Sequence, residues 1–123
     1  MPLVRISLRK ELSLDTKNKI SEAVHQSLVQ EFKIPQDDFF QVVEELDKHQ
    51  IKYPQSYLGI NHSDNIVFIL IVAKVGRSIE QKQGLYKEIA KRVSETTDIK
   101  ADDLIISLIE NDNNNWSFGG GIL

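Results

Sequence analysis

The second residue of the chain is a proline, and a proline at that place has a chemistry open to it nowhere else. Removal of the initiator Met1, the usual fate of a methionine ahead of a small residue, leaves Pro2 with a free secondary amine. A free α-amino group titrates near ~8, so close to neutral pH it serves as a base or, protonated, as an acid. With Met1 retained, the same nitrogen is an amide without basicity. A proline here is also an ordinary strand starter, so its weight comes from its companions. Asp38, in "IPQDDFF" (34–40), is one; the pair Asp37–Asp38 recurs as Asp102–Asp103, which gives it a turn role as the plain alternative. Arg77 is the other. It reads as a surface cation or as a binder of a carboxylate, and it precedes a helix N-terminus, where the dipole does not favour a positive charge.

Other chemistries lack their residues. There is no cysteine, so disulfides, thiol nucleophiles and thiolate metal sites are excluded. His25, His49 and His62 form none of the metal-ligand spacings, and no metal or cofactor is expected. His25 reads as a helix-face residue beside Val24, and His49 and His62 as solvated loop residues. There is no P-loop, no GxGxxG after a strand and no GxSxG, and "GGG" at 119–121 has no helix after it and reads as a flexible tail. A net charge of -3, with lysines scattered among acids, offers no field for a phosphate backbone, so nucleic acid is not an expected partner. No apolar run approaches the ~18 residues of a membrane span, and the start lacks a signal-peptide core; a soluble cytoplasmic protein without membrane contact is expected.

The elements that must position Pro2, Asp38 and Arg77 come in two copies. "VRISL" (4–8) reads as a strand, 13–32 as a helix with Ile20, Val24 and Leu28 on its apolar stripe, and 34–46 as a turn running into a second strand. Then "NIVFILIVAKV" (65–75) is a strand, 78–95 a helix opened by a capping box from Ser78 to Gln81, and 99–110 a turn and strand. Shifting the first half by 65 pairs Ser13 with Ser78, Ile20 with Leu85, Val24 with Ile89, Leu28 with Val93 and Asp38 with Asp103. The chain is thus one domain of 123 residues, with half-repeats about 2–46 and 66–110 and a tail 111–123. Each half is a βαβ unit whose strands are parallel, crossed right-handedly. The fold class is α/β, or α+β in some schemes: a four-stranded mixed sheet, pseudo-two-fold, with two helices on one face.

That arrangement leaves the other sheet face uncovered, yet "IVFILIV" (66–72) is apolar throughout. A second copy of the chain should cover it. The connection 47–64 is longer than a link requires, which suggests a loop lining something. The tail brings Trp116 and Phe118 among Asn and Gly, and such aromatics are expected to pack onto another surface, a neighbouring subunit included.

With these residues assembled, "MPLVRISL", "IPQDDFFQV", "GRSIEQKQGLYKEIA" and "ADDLIISLIENDNNNWSFGGG" together resemble the tautomerase superfamily, in particular its branch that includes malonate semialdehyde decarboxylase. The resemblance spans nearly the whole chain. It implies two βαβ units and a homotrimer whose sites use the N-terminal proline. Position by position it implies Pro2 as the catalytic amine, Asp38 as the acid beside it, Arg77 as binder of the substrate carboxylate, and Phe40, Trp116 and Phe118 as substrate-binding apolar residues. Val75 stands where the decarboxylase has a second arginine, and Phe39 where it has one beside the catalytic acid. The expected substrate is a small carbonyl acid. Desolvation and Arg77 would make Pro2 a base for keto–enol isomerisation, whereas Asp38 would favour the charged prolinium of decarboxylase and hydratase members. A trimeric ligand-binding module without activity is the alternative in another class.

Overall fold

The computed structural model describes residues 2–123; the expected loss of Met1 concerns a residue outside that range. The main sheet is built from β1 (Leu3–Arg9), β2 (Gln41–Leu46), β5 (Val67–Lys74) and β6 (Leu104–Asn111), with helices α1 (Leu14–Phe32) and α2 (Ile79–Thr96) as the two crossovers. The strand order is β2-β1-β5-β6. β1 and β2 run parallel, as do β5 and β6, and the halves meet antiparallel, with Ile6 opposite Ile69 at the join. Only that antiparallel meeting makes the sheet mixed, and it is the pseudo-two-fold expected from the duplication.

Helix starts recur with the repeat. Ser13 Oγ accepts from Thr16 N and Ser78 Oγ from Gln81 N, each at 3.1 Å, and Gln81 returns the bond to Ser78 N as a capping box does. Between the helices and the sheet lies one core. Ile6 and Leu8 of β1, Ile69 and Ile71 of β5, Ile20 and Leu28 of α1, and Leu85 and Ile89 of α2 are all at most 1% exposed. Where α1 meets α2, Gly84 lies under Glu31: a Cβ on Gly84 would stand 2.1 Å from Glu31 Oε1. That oxygen is the end of a flexible side chain and can swing aside. Gly84→Ala is therefore expected to gain helix propensity without loss, raising stability by about 0.5–1 kcal/mol in urea unfolding. A destabilised variant would mean that Glu31 is fixed.

Strand β5 alternates despite its uniformly apolar sequence. Val67, Ile69, Ile71 and Ala73 are buried under the helices, while Phe68, Leu70, Val72 and Lys74 stand half-buried on the opposite face. Leu3 (38%), Val42 (50%), Ile105 (36%) and Ile109 (50%) extend that face across the sheet. Its polar part is on β1 and β2: Arg5 Nη2 donates to both Glu44 oxygens at 3.1 Å, and Ser7 Oγ to Oε1 at 2.9 Å. Hydrogen bonds from Arg5 first, then Ser7, hold the Glu44 carboxyl below the ordinary 4.5. A depressed carboxyl contributes stability above its unfolded value and loses it as pH falls through the folded one. Glu44→Gln is expected to flatten the acid-side decline in melting temperature below about pH 4.5, and an unchanged decline would remove Glu44 from that account.

Two segments differ from expectation. The 47–64 connection is organised rather than a plain loop: a 3-10 turn at Lys48–Gln50 is followed by the hairpin of β3 (Ser56–Tyr57) and β4 (Ile60–Asn61). Leu58 and Gly59, at φ 51° and 79°, form its two-residue turn, the left-handed pair that matches strand twist. In the tail, Asn113–Asn115 make a capped 3-10 turn before Trp116, and Gly119, Gly120 and Gly121 all take positive φ, so the triple glycine serves a backbone path that side chains resist. Among the described residues no helix is long and apolar enough to cross a membrane.

Candidate active site

Parallel pairing of β1 with β2 brings the two chain entries side by side. Val4 lies opposite Gln41, and Val4 N donates to Phe40 O at 3.0 Å, so residues 2–3 run beside 38–40 at one end of the sheet. Pro2 is buried there, and Asp38 is 8% exposed in a turn closed by Asp38 N donating to Pro35 O at 3.1 Å. Because β5 and β6 run the other way, their ends arrive at the same place, delivering Lys74, Arg77, Trp116 and Phe118.

The duplicated aspartates part company in this frame. Asp103 repeats the turn, its N donating to Lys100 O at 3.0 Å, but at the far end of the sheet. There its carboxylate accepts from Ser63 N at 2.7 Å and Ser63 Oγ at 2.6 Å, tying down the connection ahead of β5. Asp103 thus has a structural role at its own end. At the position equivalent to Pro2 the chain simply continues through Val67, fully buried in the core.

On the uncovered sheet face at this end, next to Leu3, lies a cavity of about 430 Å³ lined by Leu3, Phe40, Val72, Asn111, Trp116 and Phe118; Pro2, Asp38 and Arg77 are not among the residues that line it. Its wall is an aromatic stack. Trp116 lies parallel to Phe118 at 5.1 Å between ring centres, and Phe118 is tilted against Phe40 at 5.6 Å. Trp116 Nε1 donates to Asn111 Oδ1 at 2.5 Å, which anchors the indole to the end of β6. Within the chain the tail aromatics pack onto another surface, at Phe40.

Arg77 is at the same sheet end but turned toward the helices. Its guanidinium carbon sits 4.8 Å above the ring centre of Phe32, and Nη1 donates to Lys74 O at 3.0 Å. The cation that shares a cavity with the aromatic wall is Lys74, in an adjoining space of about 260 Å³ with Trp116 and Phe118. Strand alternation put Lys74 opposite Val75 in direction, and Val75 is 50% exposed. What sequence alone did not show is which side the aromatics would occupy, because their place depends on the 3-10 turn at Asn113–Asn115. His25, expected on a helix face, is 3% exposed, with Nε2 2.7 Å from Gln36 O and its ring edge-on to Phe39 at 4.2 Å.

A larger cavity, about 580 Å³, is elsewhere. Arg9, Lys48, Lys52, Tyr53 and Asp64 line it at the far end of the sheet, so the 47–64 connection does border a space, away from Pro2. Tyr53 Oη donates to Asp64 Oδ1 at 2.5 Å, a bond that raises the phenol pKa and lowers that of the carboxyl. Among the described residues no group of His, Asp and Glu is placed to hold a metal ion.

Two βαβ units joined antiparallel, with a proline at the head of the first strand and an aromatic pocket at the same sheet end, define the tautomerase architecture. The chain belongs to the tautomerase superfamily, on the branch of malonate semialdehyde decarboxylase, and is an enzyme: family models described as tautomerase enzyme match residues 38–119 and 2–52. A relative from Bacillus subtilis (strain 168), probable tautomerase YusQ, is 36% identical over 121 residues, covering 98% of this chain and 95% of its own. The solved FG41 malonate semialdehyde decarboxylase inhibited by 3-bromopropiolate superposes with a TM-score of 0.90 at 32% identity, covering 98% of this chain and 91% of that one. A second malonate semialdehyde decarboxylase, described with decarboxylase and hydratase activities, gives 0.90 at 28% identity, with 98% and 92% covered.

Proposed function

We propose that this chain moves a proton on small keto or enol carboxylic acids, with the free amine of Pro2 as the reagent and Asp38 as its acidic partner. The observation that carries the reading is the inequality of the two sheet ends. Both repeat the Asp-containing turn, yet among the described residues only one has a proline at the head of its strand, with the cavity walled by Phe40, Trp116 and Phe118 at the same sheet end. At that end burial favours the neutral, basic amine, which takes a proton from the carbon alpha to a carbonyl and returns it at another atom. The apolar wall of Phe40, Trp116 and Phe118 excludes water from the carbanionic intermediate and holds the flat enol. Arg77 spends one donor on Lys74 O, and a guanidinium has five, so it retains groups for a substrate carboxylate.

The uncovered sheet face supports a homo-oligomer, which we read as a trimer. Its apolar residues border the same cavity through Leu3 and Val72, so the neighbouring copy would stand close to the site. A second reading, decarboxylation or hydration of a β-keto acid, draws support from the 32% identity with the FG41 decarboxylase. Val75 and Phe39, where that branch has arginines, speak for the first.

The experiment is Arg77→Ala assayed with phenylpyruvate. Loss of a charge-assisted contact costs about 1.5–3 kcal/mol, so kcat/KM should fall roughly 10- to 100-fold, with much of the change in KM. An unchanged kcat/KM would take the carboxylate away from Arg77 and leave Lys74 as the cation at the wall.

A further inference from the structure

We infer that His25, on α1, is a positioning residue for Asp38, a role that rests on the reading of Asp38 as the acid at the Pro2 end. The turn 35–38 that carries Asp38 has one backbone bond of its own, from Asp38 N to Pro35 O. Three side-chain bonds from α1 hold it from outside, and all of them meet at Gln36. His25 Nε2 lies 2.7 Å from Gln36 O; a carbonyl only accepts, so this nitrogen carries the proton and donates. The amides of Gln26 and Gln36 exchange two further bonds, at 3.0 Å and 2.9 Å. On the other side of Asp38, the His25 ring packs edge-on against Phe39 at 4.2 Å.

His25 therefore grips the residue two before Asp38 and the residue just after it. The Gln26–Gln36 pair is exposed, whereas His25 is 3% exposed, so the histidine bond is the one that water does not replace. Among the described residues the equivalent turn of the second half has no such clamp from α2: position 90, which matches His25, is an alanine, and Asp103 is held by Ser63 through its own carboxylate. The clamp at the Asp38 end acts on the backbone on both sides of the aspartate, through Gln36 O and the Phe39 ring.

The test uses the intact chain, with phenylpyruvate as substrate. His25→Leu keeps the apolar bulk and removes the donor; kcat should fall roughly 10- to 100-fold with KM changed little, as expected for a misplaced catalytic group rather than a lost binding contact. His25→Gln restores an N–H at comparable reach and should recover most of the rate. In the Asp38→Asn background His25→Leu should cost nothing more, because the group it positions is gone. Full loss in that background, no loss of kcat in His25→Leu alone, or no rescue by glutamine would overturn the inference. Loss of activity in no Asp38 variant would instead overturn the proposed role of Asp38, a distinguishable outcome. Hydrogen exchange at the Asp38 amide reads the clamp without turnover: it should quicken about tenfold or more in His25→Leu and return in His25→Gln, and an unchanged rate would overturn the clamp itself.

Discussion

Pro2→Ala should lower the turnover of phenylpyruvate by roughly 10²- to 10⁴-fold, the range that a positioned acid or base contributes. The variant still ends in an amine once Met1 is removed, so the loss is not that of a titrating group. It is the loss of a secondary amine held rigid by its ring, buried at the head of β1 and committed to one direction by the pairing of Val4 with Phe40. A primary amine on alanine rotates and is solvated more freely, which weakens both orientation and the effect of burial on its basicity. The fold should not change, since the core begins at Val4 and the strand register is set by residues after it. Circular dichroism and melting temperature close to the parent, with turnover reduced by that factor, would be the expected pair of results. Parent-like turnover would mean that Pro2 is only a strand starter.

The second large effect concerns the uncovered sheet face. Leu70 lies opposite Arg5 near the middle of the sheet, on the side away from the helices, flanked along β5 by Phe68 and Val72. Leu70→Asp would place a carboxylate where another copy of the chain is proposed to pack. Arg5 is already engaged by both Glu44 oxygens, so burying the added charge there costs on the order of 3–5 kcal/mol, which weakens the subunit contact by roughly 10²- to 10⁴-fold. Light scattering at micromolar concentration should show the parent as an oligomer and the variant as a monomer. Because Leu3 and Val72 belong both to this face and to the cavity at the Pro2 end of the sheet, the monomer should also lose activity. A parent that is already monomeric, or a variant that stays assembled, would contradict this account of the face.

Much of the architecture could be read before any coordinates. The offset of 65 between the halves, the serine caps at 13 and 78 and the apolar stripe of α1 are local patterns, and local patterns dictate helices and strands directly. Pro2 and Asp38 were legible as companions because parallel strands joined by one helix must begin at the same end. The arrangement of the aromatics was not legible in the same way. Trp116 and Phe118 reach Phe40 through a capped turn of four polar residues, Asp112 to Asn115, a feature whose direction no periodicity encodes. The burial of His25 was not legible for a related reason. On α1 it follows the core residue Val24, and what buries it is the turn at 35–39, a tertiary contact made by a segment eleven residues later. The hairpin at 56–61 was hidden by Leu58, a residue that rarely accepts φ of 51° and therefore gives no turn signal.

Blocking the amine outright tests the central claim most directly. The protein whose mass shows a chain beginning at Pro2 should be acetylated at its N-terminus, and its turnover of phenylpyruvate compared with that of the untreated protein. Acetylation converts the Pro2 nitrogen into an amide and leaves every side chain of the cavity in place, so activity should fall to the level of the uncatalysed reaction. An acetylated protein that turns over substrate at the original rate would show that the nitrogen of Pro2 takes no part in the chemistry.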